Sequence, residues 1–146
     1  MSIGFNYEDI GRPRLKYKYI KLWLKNIIKD KGFELGNLCY IFCRDEYLKD
    51  LNFRFLQHDY YTDVVTFDYC ENNFLSGDVF ISIERVKDNS IIFGSDIEEE
   101  FLRVIVHGLL HLMGYKDGNE VEKFDMRNME NNYLDLYRNF KDEVLK

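Results

Sequence analysis

Two histidines and an aspartate in the last third of the chain have the spacing of a metal site. His107 and His111 stand four residues apart in the segment VIVHGLLHLMGYKD, which runs from Val104 to Asp117. On a helix, this spacing places both imidazole rings on one face, with their Cβ atoms about 6 Å apart, close enough to bind one ion. Gly114 lets the chain turn after the helix, which would bring the Asp117 carboxylate back as a third ligand. The pattern predicts one divalent ion per chain, with zinc as the preferred metal.

Such a site would be catalytic rather than structural, because three protein ligands leave the fourth zinc position open. A zinc ion lowers the pKa of a bound water to about 7, so the predicted chemistry is hydrolysis by metal-activated water. The alternative is that each histidine is a core residue hydrogen-bonded to backbone. We favour the metal because the chain has only three histidines, and two of them stand at ligand spacing on its most apolar helix, followed by a turn and an acid. Peptidase chemistry is disfavoured, because Gly108 stands where such enzymes carry a glutamate base.

The elements that must position these residues form one mixed α and β domain spanning residues 1–146. Four strands are predicted: Ile3 to Tyr7, Leu38 to Cys43, and two runs beginning at Thr62 and Gly77 that form a hairpin. Four helices are predicted: about Arg14 to Lys31, Asp45 to Phe55, Ser95 to Gly114, and about Asn119 to Phe140.

Residues with capping preferences set the predicted helix ends. Pro13 is expected in the first turn of the first helix, and Asp45 is expected to cap the second. Ser95 followed by Glu98 is read as a capping box that opens the histidine helix. Gly114 is expected to end that helix, because glycine readily adopts the left-handed backbone conformation found there.

Composition limits the possible classes of protein. With 146 residues, 32% of them charged, the chain has the size and polarity of one globular domain rather than a disordered one. Its three cysteines are odd in number and imply no disulfide framework. The N-terminus has no export signal, and the apolar histidine helix carries charged residues that argue against a membrane span. We therefore expect a cytoplasmic protein.

The net charge of −6 conceals a basic segment, in which eight basic residues and one acid lie between Arg12 and Lys31. Helical spacing places four of these cations on one stripe, opposite an apolar face. The stripe consists of Arg14, Lys18, Lys21 and Lys25, and the apolar face of Ile20, Leu24, Ile27 and Ile28. An RNA phosphate backbone could lie along the stripe, and the alternative is an ordinary solvated helix face.

At the histidine motif the chain resembles a known family. HGLLHLMGY is similar to the HGxLHLxGYDH motif of the bacterial YbeY-type endoribonucleases, which are metal-dependent factors for 16S rRNA maturation and ribosome quality control. Upstream, LNFRFLQHDYYTDVVTF from Leu51 resembles the family's LNxxYRxxDxPTDVLSF, and GDVFIS from Gly77 resembles its GDIxIS. The similar stretches cover most of the chain from Leu51 to about Tyr115.

The resemblance implies a single-domain α+β fold, with a mixed sheet of about four strands flanked by helices and a zinc site on a buried helix. It implies a single-strand-specific endoribonuclease that acts in maturation of the 16S rRNA 3′ end, with the small ribosomal subunit as partner. One alternative is a ribosome-associated assembly factor with a structural metal and little nuclease activity. Another is hydrolysis of a small substrate, which a narrow pocket at the metal would favour.

Two departures from the family motif change the predicted site. The family's third histidine is replaced by Asp117, which can still bind zinc. The family's phosphate-binding arginine is replaced by Leu56. Arg54 and His58 lie two positions to either side, each rotated by roughly 200° if the helix continues. His58 is the candidate catalytic residue, since a following loop could bring it to the cleft to carry a proton or contact phosphate, and the alternative is a plain surface histidine.

Overall fold

A mixed sheet with two long central strands carries the site. The computed structural model describes residues 1–57 and 62–144, with side chains through residue 141. The strands are β1 (Ser2–Tyr7), β2 (Glu34–Cys43), β3 (Val64–Asp68) and β4 (Phe74–Ser82). Their order is β1-β2-β4-β3, with β2 parallel to both β1 and β4, and β3 antiparallel to β4. The predicted hairpin and the predicted single-domain α+β fold are both confirmed.

In the part of the chain that the structure describes, five helices flank this sheet: α1 (Tyr17–Asp30), α2 (Asp45–Leu56), α3 (Ile83–Phe93), α4 (Ile97–Leu112) and α5 (Glu120–Val144). Helix α3 is not among the helices predicted from the sequence. Its end signals were nevertheless present, because the Ser82 hydroxyl accepts a hydrogen bond from the Arg85 amide at 3.2 Å. At the other end, Gly94 adopts the left-handed conformation with a φ of +64°.

The first helix starts later than predicted, which shortens the basic stripe. Helix α1 begins at Tyr17, whose hydroxyl donates to the Pro13 carbonyl at 2.6 Å, so Pro13 and Arg14 lie before the helix. The apolar face is buried as predicted, and Lys18 and Lys25 are exposed opposite it. The helical stripe therefore comprises Lys18, Lys21 and Lys25, without Arg14.

The predicted cap of α2 is wrong. Arg44, not Asp45, precedes α2, and the first amide of that helix donates instead to the Glu84 carboxylate at 2.8 Å. The Asp45 carboxylate accepts a hydrogen bond from Arg85 at 3.1 Å.

In α4 the cap is shifted by one residue from the predicted capping box. Asp96 accepts from the Glu98 amide at 3.0 Å, so it is the N-cap. The Ser95 hydroxyl donates to the Glu100 carboxylate at 2.9 Å.

Helices α1 and α4 cover one face of the sheet, and α5 packs against both of them. The Tyr40 hydroxyl on β2 donates to the Ile105 carbonyl of α4 at 3.0 Å, and the Trp23 indole of α1 donates to the Tyr133 carbonyl of α5 at 2.8 Å. On the opposite face, α2 buries Leu48 against the sheet. Within the described residues, no helix combines the length and apolar character needed to cross a membrane.

Glycines allow the histidine helix to lie very close to β4. A Cβ atom added at Gly108 would lie 2.6 Å from Val79 Cγ1, so the glutamate of a peptidase motif would not fit there. A Cβ atom added at Gly77 on β4 would lie 2.6 Å from the Phe67 carbonyl oxygen and 2.8 Å from Leu112 Cδ2. This close approach fixes the height of the α4 histidines above the sheet.

We predict that Gly77→Ala lowers the free energy of unfolding by about 1 to 3 kcal/mol, because the backbone oxygen that the new methyl group meets cannot move aside. Gly4→Ala on β1 is the matched control, since its Cβ atom would meet nothing within 4 Å. Chemical denaturation in the presence of a chelator measures both variants without a contribution from bound metal. Equal unfolding free energies for the two variants would contradict this account of the packing.

Candidate metal centre

The three predicted ligands lie together. His107 Nε2 and His111 Nε2 are 2.9 Å apart, and Asp117 Oδ2 lies 3.2 Å from the first and 3.4 Å from the second. Ligand atoms of a tetrahedral zinc lie about 3.3 Å apart, as follows from zinc–nitrogen bonds of about 2.0 to 2.1 Å. Two imidazole nitrogens and a carboxylate oxygen are also ligand types that zinc prefers. The cluster therefore fits one such ion, and it can hold a metal.

The turn after α4 brings Asp117 back to the histidines. Gly114 has a φ of +101°, and its amide donates to the His111 carbonyl at 3.0 Å. The Tyr115 amide donates to the Leu110 carbonyl at 3.1 Å. This pair of hydrogen bonds is a Schellman motif, which reverses the chain at the end of the helix. The turn that the sequence predicted at Gly114 is confirmed.

Both ends of the loop that carries Asp117 are anchored. The Lys31 ammonium lies 5.1 Å from the centre of the Tyr115 ring, a cation–π contact that ties the loop to the end of α1. On the other side, Asn119 Oδ1 accepts from the Glu122 amide at 2.8 Å, and the Glu122 carboxylate accepts from the Gly118 amide at 3.2 Å. These contacts limit how far the Asp117 carboxylate can move from the histidines.

A buried carboxylate on α5 orients the first histidine. Glu130 Oε2 lies 2.6 Å from His107 Nδ1, and Glu130 Oε1 accepts from Arg103 at 3.0 Å. Because an ionised carboxylate only accepts, Nδ1 carries the proton and the Nε2 lone pair points into the cluster. Burial lowers the pKa of His107, but the hydrogen bond and charge of Glu130 and the charges of Asp63 and Asp117 outweigh it, so the pKa is raised.

Glu130 is not among the site residues predicted from the sequence, although the sequence contains a signal for it. Glu130 lies on the buried stripe of α5, at helical spacing from Met126, Tyr133, Leu134 and Tyr137. An acid on such a stripe requires a buried partner, because an unpaired buried charge is very costly. The spacing alone could not identify that partner, because His107 is 23 residues away on another helix.

Asp63 adds a further carboxylate close to the cluster. Its pKa is raised, chiefly by burial and against the opposing effect of His107, while the charges of Glu130 and Asp117 raise it further. Asp63, Asp117 and Glu130 thus concentrate acidic side chains around the two imidazoles. This electrostatic environment favours a cation at the cluster.

The histidines and Asp117 form one wall of a cleft of about 340 Å³. The other walls come from the end of α2, the residues before β3, and β3 itself; they are Asn52, Leu56, Thr62, Asp63, Val64, Val65 and Thr66. None of the described residues that line this cleft is a lysine or an arginine.

Leu56 therefore occupies a position that faces the metal cluster, as the family motif implied for its arginine. The Leu56 side chain is 41% exposed and lines the cleft. Arg54 does not line it and instead pairs with Asp50 at 3.1 Å on the exposed side of α2. The candidate catalytic residue His58 falls in the segment 58–61, outside the described residues, so its role stays a prediction.

Comparison with known proteins identifies the family. The family model described as Endoribonuclease YbeY matches residues 8–138. This chain belongs to the YbeY family. Endoribonuclease YbeY of Bacteroides fragilis is 46% identical over 134 residues, which cover 92% of this chain and 96% of that protein. Endoribonuclease YbeY of Cytophaga hutchinsonii is 50% identical over 136 residues, which cover 92% of this chain and 95% of that protein.

One solved structure has a fold similar to that of this chain. The solution structure of the Thermotoga maritima protein TM1509 matches with a TM-score of 0.66 at 25% identity, covering 97% of this chain and 93% of that one. The family resemblance found in the sequence is thus confirmed, and YbeY membership supports an endoribonuclease role.

We predict that Glu130→Gln lowers the affinity for zinc about 10- to 100-fold, because the neutral amide no longer holds His107 with a charge-assisted hydrogen bond. Competition with a fluorescent chelator measures the affinity. The matched control is Glu120→Gln on the same helix, where the side chain is 95% exposed. Wild-type zinc affinity in the folded Glu130→Gln protein would refute the orienting role.

Proposed function

We propose that the chain is a zinc-dependent endoribonuclease, acting as one domain over residues 1–146, that hydrolyses phosphodiester bonds in single-stranded rRNA. Its role would be maturation of the 16S rRNA 3′ end and ribosome quality control in the cytoplasm, in contact with the small ribosomal subunit. The observation that carries the proposal is the convergence of His107, His111 and Asp117 in an open cleft of a YbeY-family chain.

In this proposal one zinc ion per chain is held by His107, His111 and Asp117. When bound, the ion supplies Lewis acidity, which lowers the pKa of a water ligand and polarises a phosphoryl oxygen. The protein's own part is positioning. Glu130 keeps the proton of His107 on Nδ1, and the Schellman turn at Gly114 holds Asp117 beside both rings. Asp117 is anionic, so the site is more negative than one with three imidazoles.

The alternative of an assembly factor with a structural metal has one observation in its favour. The described lining of the cleft contains no lysine or arginine, and Leu56 provides no charge for a phosphate. The small-substrate alternative is less well supported, because His107 and Asp117 line a second cavity as well as the cleft. A cluster open on two sides suits a polymer better than a small molecule. RNA contact by Lys18, Lys21 and Lys25 on α1 stays part of the proposal.

The test is cleavage of end-labelled single-stranded RNA by zinc-loaded protein. We predict that Asp117→Asn no longer binds zinc, because an amide is a poor zinc ligand. Its rate of RNA cleavage should fall at least about 100-fold. Asp117→His should retain the metal. The control is Asp125→Asn, which neutralises an exposed acid on α5 and should keep both zinc binding and RNA cleavage. Full zinc binding by Asp117→Asn would contradict the ligand assignment, and a zinc-loaded wild type that cleaves no RNA would favour the assembly factor.

A second prediction concerns the missing arginine. Leu56→Arg should raise kcat/KM for RNA cleavage about tenfold, because a guanidinium in the cleft can form a charge-assisted hydrogen bond with phosphate. The control is Phe53→Arg, which adds the same charge to α2 at a 57% exposed position that does not line the cleft. Equal gains from both variants would indicate a general charge effect, and no gain from Leu56→Arg would show that another cation already binds the phosphate.

A further inference from the structure

A second cavity lies on the other side of the metal cluster. It has a volume of about 500 Å³ and is enclosed by α3, α4 and the first half of α5. His107, Asp117 and Asp63 line both this cavity and the cleft that contains Leu56. The cluster is therefore a wall shared by two concave surfaces. An RNA chain with one phosphate at the cluster would place a neighbouring nucleotide in the second cavity.

The second cavity contains the cations that the cleft lacks. Arg127 and Lys123 of α5 line this cavity, and both are exposed. Lys123 has a nearby acid, Glu120, at 3.9 Å, but both side chains are well solvated, so this pair is weak. Arg103 also lines the cavity, but it is held by Glu130 at 3.0 Å and by Asn131 at 2.8 Å. Arg127 and Lys123 are thus the residues placed to meet a phosphate.

An exposed aromatic ring completes this lining. Phe93 is the last residue of α3, is 62% exposed, and forms part of the cavity wall. Proteins that bind single-stranded nucleic acid combine cations for the backbone with aromatic rings on which unpaired bases stack. Phe93, Arg127 and Lys123 in one lining are such a combination.

We propose that the second cavity is a nucleotide subsite, in which an unpaired base stacks on Phe93 while its phosphate contacts Arg127 and Lys123. This inference rests on the proposed function, since it assumes that RNA lies across the cluster. The subsite binds the nucleotide next to the one whose phosphate is cleaved. It supplies, on the opposite side of the cluster, the positive charge that Leu56 does not supply in the cleft.

The test compares two cavity variants with two matched controls. Phe93→Ala and Arg127→Gln alter the cavity, whereas Phe124→Ala removes a 67% exposed ring outside its lining. Lys87→Gln removes an exposed charge from α3 that also lies outside it. The readouts are the Kd for a fluorescent single-stranded 2′-O-methyl oligoribonucleotide, and KM and kcat for cleavage of the matching RNA by zinc-loaded protein.

Phe93→Ala should raise Kd and KM about tenfold for single-stranded RNA, with kcat changed less than about twofold, and should have little effect with a duplex, whose bases are not free to stack. Arg127→Gln should raise Kd about threefold to tenfold and reduce the slope of log affinity against log salt concentration by about one. The controls should stay within about twofold of wild type.

The outcomes separate this inference from the proposed function. If the wild type cleaves RNA and both cavity variants bind it normally, the subsite is wrong and the proposed function stands. If the wild type binds RNA without cleaving it and the cavity variants lose binding, the subsite stands and the proposed enzyme activity fails. Equal losses in the controls, or a wild type that binds no RNA, would overturn the subsite.

Discussion

The hydrogen bond between His107 and Glu130 couples the metal cluster to the packing of the helices. Two imidazoles on an apolar helix must have fixed partners, because unpaired polar groups are costly in such surroundings. Glu130 is buried, and its two carboxylate oxygens are held separately by Arg103 and His107. The proton on His107 Nδ1 is thereby fixed, and Nε2 is left to face His111 and Asp117. The packing of α5 on α4 thus fixes the orientation of His107 within the cluster.

Among the described lining residues, lysine and arginine side chains lie on only one side of the cluster. Carboxylates surround the histidines, while the described lining of the cleft has no lysine or arginine, and Arg127 and Lys123 lie in the cavity beyond. The close contacts of Gly77 and Gly108 with their neighbours keep α4 close to the sheet, so the cluster lies between the two concave surfaces. An anionic polymer lying across it would meet the ion at the centre and the cations to one side.

The features that were predictable from the sequence are those determined by neighbours along the chain. The histidine spacing, the turn at Gly114 and the hairpin all follow local periodicity or local backbone preference, and the structure contains each of them. Helix α3 was missed because its last residues, Ile91 to Phe93, are apolar but exposed, which obscures the amphipathic pattern. The cap of α4 was predicted one residue too early because Ser95 and Asp96 are both good capping residues. Glu130 was missed because its role depends on a contact between two helices.

An anomalous difference map from crystals of the zinc-loaded protein, recorded at the zinc absorption edge, tests the metal site most directly. The account predicts one peak per chain, about 2.0 to 2.2 Å from His107 Nε2, His111 Nε2 and an oxygen of Asp117. A peak coordinated by other residues, or a zinc at the histidines with the Asp117 carboxylate turned to solvent, would contradict it.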